Sequence, residues 1–369
     1  MEGVKAPNFN FDILGSVLGE STSLDLPQLQ IQDRDQAALF IRTYGYEITR
    51  KQDEEKLWRY FAEAIEFLES DILHDGEKIP DSLKTREELE DITKLLVIAS
   101  VKQTGDSEAQ TLESLSPQRW ACAILRVMHV LVHLDNDLFT SFTDDIKYQI
   151  LKPIQDHIYY VEQKTFLGKD DEAIELVAYS EKPFKHTGSA AIKILTRKNT
   201  LAMTLLDRVG MRFVTKNVVD IFRVIQYLVD KHLISYPHVI SSQSKNTICS
   251  AKTFTEVMEK HVSKEGVFDA EAIEAMLQEE MRSLNLQVDP EKNPYSSSEF
   301  KFLKFINRQF LRINIGEGKS PLTFFFPFEV QILDQNTFDQ NESGQAAHKD
   351  YKQRQKESAR RRIFGLLHV

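Results

Sequence analysis

The sequence predicts an α+β protein in which a helical N-terminal part is followed by a part that mixes helices and strands. In the first part, apolar residues recur at spacings of three, four and seven, which is the pattern of helices that bury one face. From about residue 173 onward, short stretches of alternating apolar and polar residues stand between helical ones, and alternation indicates half-buried strands. The chain has 369 residues, 41% hydrophobic and 28% charged, which is typical of globular proteins and sufficient for two or three domains.

The N-terminal part divides into an arm and a helical domain. Residues 1–30 contain Pro, Gly and Ser and few strong helix formers, so we expect an extended arm. The spacing of apolar residues then predicts a helical domain over residues 31–165. Its expected helices lie within residues 35–73, 86–102, 117–134 and 144–163.

The mixed part is expected over residues 170–369. Residues 300–313 and 321–333 alternate as two long strands, and the Gly-Glu-Gly between them indicates a hairpin turn. Residues 242–298 look like an insertion with helical pieces and a polar stretch. The other predicted elements are strands at 173–179, 210–214 and 238–241 and helices at 189–196 and 217–232.

Charge and cysteine content exclude several classes of protein. The formal net charge of -10 gives the chain no global attraction for nucleic acid or an anionic membrane, although a local basic patch could still bind RNA. The two cysteines, Cys122 and Cys249, are too few for a disulfide framework or a thiol-based zinc site. The start lacks the features of a signal peptide, and no apolar stretch reaches the length of a membrane span. We therefore expect a cytoplasmic protein without a transmembrane helix.

The first candidate site combines two lysines and a serine. Ser189 and Lys193 are four residues apart and would share one face of a helix, and Lys185 precedes that helix. Ammonium groups and a hydroxyl near a helix N-terminus can bind phosphate. The alternative is a solvated surface that carries lysines.

A second candidate is the segment around Asp207, Gly210 and Arg212. An Asp just before a strand can hold Mg²⁺, because this cation prefers carboxylate oxygen. Gly210 permits a tight turn into the strand, and the guanidinium of Arg212 could bind a phosphate. The alternative is an N-cap Asp followed by a surface Arg.

A third candidate lies on the predicted strand at 321–333. Glu329 follows a run of three phenylalanines and Pro327. A carboxylate in such surroundings is paired, bound to a metal or made more basic by desolvation. The alternative is a Glu that faces solvent on an edge strand.

A fourth candidate opens the basic C-terminal tail, where His348 is followed by Tyr351 and Lys352. Taken alone, this Lys- and Arg-rich segment predicts a solvated helix. A contact with RNA or with an acidic partner is the alternative.

The order of these four segments resembles the RelA/SpoT-type alarmone synthetase family. That family has Lys, Ser and Lys at the same spacings, then an Asp-x-x-Gly-x-Arg segment, a Glu-[Val/Ile]-Gln-Ile-Arg strand and an Ala-Ala-His-x-x-Tyr-Lys segment. The resemblance covers residues 173–360, about half of the chain. It implies a mixed-sheet, nucleotidyltransferase-like fold and a pyrophosphokinase of the stringent response. In that reaction, Mg²⁺-bound ATP donates its β,γ-pyrophosphate to the 3′-hydroxyl of a guanine nucleotide, which yields the alarmone.

The resemblance also implies a role for each matching residue. Asp207 and Glu329 would be catalytic and would hold Mg²⁺, and Glu329 could also take the proton from the 3′-hydroxyl. The residues that would bind the nucleotide and its phosphates are Lys185, Ser189, Lys193, Arg212, Gln331, His348 and Lys352. The implied partners are ATP and a guanine nucleotide, and the implied cofactor is Mg²⁺.

The chain departs from the family at several positions. A proline beside Lys182 replaces an Arg, and Leu333 replaces the Arg after Glu-Val-Gln-Ile. The Tyr that stacks on guanine in the family is matched by Tyr295 in one placement and by Phe300 in another, which puts Lys304 in the place of a His. These departures leave two alternatives open: a different acceptor such as RNA, or a nucleotide-binding sensor without turnover.

A pair of histidines lies outside these segments. His129 and His133 are four residues apart on a predicted helix, a spacing that can bind a divalent metal. Histidines of the core or of the helix surface are the interpretation that the pattern favours.

Overall fold

The computed structural model of the chain describes residues 22–102, 115–135, 141–182, 187–196, 208–261, 270–284, 302–343 and 345–365. The first 21 residues of the predicted arm lie outside these ranges. The α-helices are α1 (Arg34–Thr43), α2 (Lys51–Phe67), α3 (Arg86–Leu89), α4 (Ile92–Ile98), α5 (Pro117–Leu134), α6 (Thr143–Gln155), α7 (Thr187–Thr196), α8 (Val218–Asp230), α9 (Ala251–His261), α10 (Ala270–Leu284), α11 (Gln335–Ser343) and α12 (Gln345–Ile363). The strands are β1 (Ile158–Val161), β2 (Lys164–Leu167), β3 (Ile174–Glu181), β4 (Val209–Thr215), β5 (Lys245–Asn246), β6 (Leu303–Ile313) and β7 (Leu322–Asp334). Across the described residues, no helix combines the length and the apolar character that crossing a membrane requires.

These strands form one mixed sheet in the order β1-β2-β3-β4-β7-β6-β5. Strands β4 and β7 run parallel to each other, and every other neighbouring pair is antiparallel. The long hairpin predicted from the alternation at 300–313 and 321–333 is formed by β6 and β7. Together with the helices, this sheet confirms the predicted α+β class.

One face of the sheet forms the core of a compact unit that comprises Asn136–Lys185 and Leu205–Tyr351. Because side chains alternate along a strand, Phe213 of β4 and Val330 of β7 are buried on this face. Helix α8 packs against it with one apolar stripe, formed by Val218, Ile221, Val224 and Leu228. The opposite face carries the alternate residues of the same strands, and the candidate site lies there.

A second compact unit comprises Met1–Asp135, His186–Thr204 and Lys352–Val369. The regular elements of its described residues are helices. Helix α5 is buried along most of its length, because its residues are apolar on nearly every side. Trp120 on this helix packs edge-on against Phe364, with ring centroids 5.1 Å apart.

The basic tail is partly a structural element of this helical unit. Arg360 donates to a carboxylate oxygen of Glu77 at 2.6 Å, and Arg362 pairs with Asp25 at 2.7 Å. Both arginines are buried. The expectation of a wholly solvated basic helix is therefore wrong at these two positions, because a buried guanidinium is stable where a carboxylate pairs with it.

The helix predicted over residues 144–163 is wrong in its second half. Helix α6 ends at Gln155, and the β1–β2 hairpin follows. Strand β1 consists of β-branched and aromatic residues, which favour a strand. The turn residues Glu162 and Gln163 have φ values of 48° and 66°, as a tight type I′ turn requires.

Two further elements differ from the prediction for local reasons. The helix predicted over residues 86–102 is split into α3 and α4 at Glu90, whose φ is 62°. Asp91 then begins α4 as its N-cap and accepts a hydrogen bond from the Thr93 amide. The strand predicted at 238–241 is replaced by two short 3₁₀ turns, Tyr236–His238 and Ser241–Gln243.

Candidate functional site

The parallel pairing of β4 with β7 sets the geometry of the candidate site. In this register Gly210 lies opposite Glu329 and Arg212 lies opposite Gln331. These four residues share the polar face of the sheet, since side chains at alternate positions point the same way. The Arg212 Nε donates a hydrogen bond to the Gln331 Oε1 at 3.2 Å. The structure thus brings three of the predicted site residues together.

Glu329 is held between two lysines. Its side chain is 1% exposed, and Lys182 donates to its Oε1 while Lys304 donates to its Oε2 at 2.7 Å. Lys182 follows the end of β3, which is separated from β7 by β4, and Lys304 lies on β6, which pairs with β7, so the two ammonium groups reach the carboxylate from opposite sides of β7. A buried carboxylate needs such partners, because burial of an unpaired charge is costly.

Gly210 is what allows Lys182 to reach Glu329 across β4. The Lys182 amide donates to the Gly210 carbonyl at 2.9 Å, which fixes the lysine beside the glycine. A Cβ on residue 210 would lie 3.2 Å from the Lys182 Cδ and 3.2 Å from the Glu329 carbonyl oxygen. The sequence suggested that this glycine eases a turn into the strand, whereas the structure shows that it makes room for the lysine.

The described part of the site is a positively charged surface on the sheet. Lys182, Lys304 and Arg212 contribute three cations, and Glu329 contributes one carboxylate. A group of cations on one face of a sheet attracts anionic ligands. Lys and Arg side chains bind phosphate groups through charge-assisted hydrogen bonds.

Three other predicted residues lie in the helical unit. Ser189 and Lys193 are on α7, as predicted, with Ser189 exposed and Lys193 half-buried. Lys352 lies on α12 and is exposed. Helix α7 therefore has the helical spacing that a shared face for Ser189 and Lys193 requires.

The remaining predicted residues cannot be placed in this geometry. Lys185, Asp207 and Tyr295 lie outside the described residues, as does the side chain of His348. Their roles stay predictions.

Lys182 and Lys304 are functional candidates that are not among the site residues predicted from the sequence. One signal was present in the pattern of β6, where alternation from Lys304 to Arg312 marks the polar face of a strand. The signal was insufficient, because the contact with Glu329 depends on the register of β6 against β7. In one of the two placements that the resemblance allows, this lysine stands where the family has a His, and it pairs with the predicted catalytic carboxylate.

The described side chains do not by themselves fit the predicted Mg²⁺ site. Among the residues that the structure describes, no group of three or more His, Cys, Asp or Glu is placed to hold a metal ion. Mg²⁺ is bound by oxygen ligands. Both carboxylate oxygens of Glu329 already accept hydrogen bonds from ammonium groups, so in this arrangement they are not available to the metal. The assignment of Asp207 and Glu329 as metal ligands stays a prediction.

The two histidines of α5 form an aromatic cluster within the helical unit. The rings of His129 and His133 are 4.3 Å apart, and the Tyr44 hydroxyl lies 2.9 Å from the His129 Nδ1. Burial lowers the pKa of His129 to about 4, so its ring is neutral at pH 7. The nearby Asp135 bonds instead to Arg59 and to the Tyr60 hydroxyl. His129 is partly buried and His133 is exposed, so the pair agrees with histidines at the edge of the core and on the helix surface.

In comparisons with known proteins, the chain matches solved structures but no family model or curated sequence. A GTP pyrophosphokinase family protein from Streptococcus pneumoniae matches at 12% identity over 61% of this chain and 84% of that chain, with a TM-score of 0.31. Small alarmone synthetase 1 from Bacillus subtilis matches at 12% identity over 62% of this chain and 91% of that chain, also with a TM-score of 0.31. The same protein bound to its product pppGpp matches at 12% identity over 64% and 90%, with a TM-score of 0.27.

The order of the motifs in this chain resembles that of alarmone synthetases. The identity and the TM-scores of these matches are low.

Proposed function

We propose that this chain binds nucleoside polyphosphates on the polar face of its sheet and transfers the β,γ-pyrophosphate of ATP to the 3′-hydroxyl of a guanine nucleotide. The observation that carries the proposal is the buried carboxylate of Glu329, held between Lys182 and Lys304 beside Arg212. The order of the four motifs supports the reaction class. The cationic surface around Glu329 supports a polyphosphate as the ligand.

The two lysines give Glu329 a role that depends on the substrate. Phosphate oxygens compete with the carboxylate for Lys182 and Lys304, because a polyphosphate carries several negative charges. Once the lysines turn to the phosphates, Glu329 is released and can accept the proton of the attacking 3′-hydroxyl. The bond from that oxygen to the β-phosphorus forms, the bond from the β-phosphorus to the α,β-bridging oxygen breaks, and AMP leaves.

The cations supply the rest of the catalysis in this proposal. Transfer of a phosphoryl-type group needs positioning and neutralisation of charge more than covalent chemistry. Lys182 after the end of β3, Arg212 on β4 and Lys304 on β6 would neutralise the charge of the transferred group. The hydrogen bond from Gln331 would hold the Arg212 guanidinium in place.

Nucleotide binding without turnover is the second candidate. Both oxygens of Glu329 are engaged by lysines, and an engaged carboxylate neither binds a metal nor takes up a proton. Leu333 is buried at the position where the family has an Arg, so one cation of the family is replaced by a core residue. In this reading the chain would act as a nucleotide sensor.

Transfer of label from ATP distinguishes the two candidates. Purified protein, Mg²⁺ and γ-labelled ATP are incubated in turn with GMP, GDP, GTP, ADP and bulk tRNA, and the products are separated by thin-layer chromatography. Glu329→Gln is the test variant, and Glu175→Gln is the control, because Glu175 also lies between two lysines of the same sheet but is partly exposed. Arg212→Gln is a second test variant in case Glu329→Gln fails to fold.

Label transfer to a guanine nucleotide that Glu329→Gln loses by at least a hundredfold, and that Glu175→Gln keeps, would support the pyrophosphokinase. Transfer to tRNA or ADP alone would overturn guanine as the acceptor. Binding of ATP without transfer to any acceptor would support the sensor. Full activity in both Glu329→Gln and Arg212→Gln would overturn the site.

A further inference from the structure

The polar face of the sheet continues beyond Glu329 to an exposed pair of aromatic rings. Phe310 of β6 and Phe325 of β7 are register partners on this face, with ring centroids 5.3 Å apart. They are 46% and 47% exposed, although phenylalanine is usually buried. The opposite face of the same hairpin is packed into the core. The two exposed rings therefore do not contribute to the core on the other face of the sheet.

Two side chains that interact with aromatic rings lie beside Phe325 of this pair. The guanidinium of Arg308 lies 5.7 Å from the centroid of the Phe325 ring, and the ring of His238 meets Phe325 edge-on at 4.8 Å. Arg and aromatic side chains together are the residues on which proteins stack nucleobases. An aliphatic docking surface would lack these polar neighbours.

The charges of the hairpin on this face point to an anionic ligand. The alternate positions of β6 carry Lys304, Arg308 and Arg312, and Glu329, which is already paired, is the acidic residue among the described positions of β6 and β7 on this face. Phe325 is four residues from Glu329 along β7, or about 13 Å at the rise of a strand. One extended nucleotide could therefore reach from the rings to the lysines around Glu329.

We propose that Phe325 and Phe310 stack the base of a purine nucleoside polyphosphate whose phosphates extend toward Lys304 and Lys182. This inference rests on the proposed function and names the part of the chain that recognises the base. A purine fits better than a pyrimidine, because its two fused rings cover more of the paired phenylalanines. The base would thus be bound by the hairpin, at a site other than the positions 295 and 300 that the resemblance suggests.

Calorimetric titration without ATP tests the inference separately from turnover. The wild-type protein and Phe325→Ala, Phe325→Tyr and Tyr160→Ala are titrated with GDP, UDP and inorganic pyrophosphate. Tyr160 is the control, because it is an exposed aromatic residue on β1 of the same sheet. Phe325 is half exposed, so we expect each variant to fold.

We expect wild-type protein to bind GDP more tightly than UDP. Phe325→Ala should weaken GDP binding roughly 5- to 150-fold, the loss that removal of one base-stacking aromatic causes. The same variant should bind pyrophosphate as the wild type does. Phe325→Tyr should restore GDP binding, and Tyr160→Ala should leave it unchanged.

Four results would overturn the inference. They are unchanged GDP binding in Phe325→Ala, an equal loss of GDP and pyrophosphate binding, a change of oligomeric state in Phe325→Ala, and much tighter binding of a short RNA than of GDP that depends on Phe325. Base-dependent GDP binding without label transfer would keep the inference and remove the pyrophosphokinase. Label transfer that is unchanged in Phe325→Ala would support the pyrophosphokinase and overturn the inference about the base site.

Discussion

Two glutamates of the same sheet are each bound by two lysines, and they differ in burial. Glu329 accepts from Lys182 and Lys304 and is 1% exposed. Glu175 on β3 lies 2.7 Å from Lys216 and 3.4 Å from Lys164 and is 25% exposed. The composition of the two clusters is the same, so the comparison isolates the effect of the surroundings.

Burial changes what such a cluster can do. Around an exposed carboxylate, water and salt screen the ion pairs and can replace each partner at small cost. A buried carboxylate depends on its partners, so whatever displaces the lysines also changes the state of the carboxylate. In the proposed function Glu329 would therefore respond to a bound anion, whereas Glu175 pairs with its lysines near the surface.

Removal of both lysines should give the largest difference between the two clusters. Lys182→Met with Lys304→Met leaves the buried carboxylate without these partners, and we expect a loss of about 3–5 kcal/mol in the free energy of unfolding. Lys164→Met with Lys216→Met should give a much smaller loss, because water screens the exposed cluster. Urea denaturation followed by circular dichroism measures the free energy of unfolding of both double variants. Equal, small losses in the two double variants would show that burial of Glu329 has no energetic consequence.

Substitution of Gly210 tests the path of Lys182 with a smaller effect. The added Cβ of Gly210→Ala would meet the lysine side chain and the β7 backbone at 3.2 Å, and we expect a loss of about 1–3 kcal/mol through overpacking. Gly188→Ala is the matched control for stability, since a Cβ there makes no contact closer than 3.4 Å and alanine favours a helix. Urea midpoints of the two variants give the comparison. A neutral Gly210→Ala would mean that Lys182 reaches Glu329 by another path.

The sequence predicted Glu329 but not its partners, for a physical reason. Alternation within β6 and β7 is a local pattern, and it correctly indicated both strands. The contact between Lys304 and Glu329 depends on how the two strands are aligned, and a shift of one residue would separate them. The contact between Lys182 and Glu329 passes over Gly210 of β4, so it depends on the alignment of β3, β4 and β7 and is even harder to predict from a local pattern.

The second cluster was missed for a different reason. Lys164 lies on β2, in the hairpin that the helical spacing before it concealed. The apolar residues of Ile158–Val161 fit a continued helix by spacing, but their β-branched and aromatic types favour a strand. Residue type was thus the better guide than periodicity at this position, and the cluster around Glu175 follows once the hairpin is placed.

The smallest expected effect is the pH dependence of the exposed cluster. The hydrogen bond from Lys216, with a further contribution from Lys164, holds the pKa of Glu175 below its usual value of 4.5. A carboxylate with a lowered pKa stabilises the folded state above its unfolded pKa, and this contribution disappears as the pH falls through the folded pKa. Wild-type protein should therefore be slightly more stable than Glu175→Gln at pH 7, and the two should converge as the pH falls below 4.5. Urea midpoints at several pH values measure this, and a difference that persists in acid would mean that Glu175 acts through packing and not through its charge.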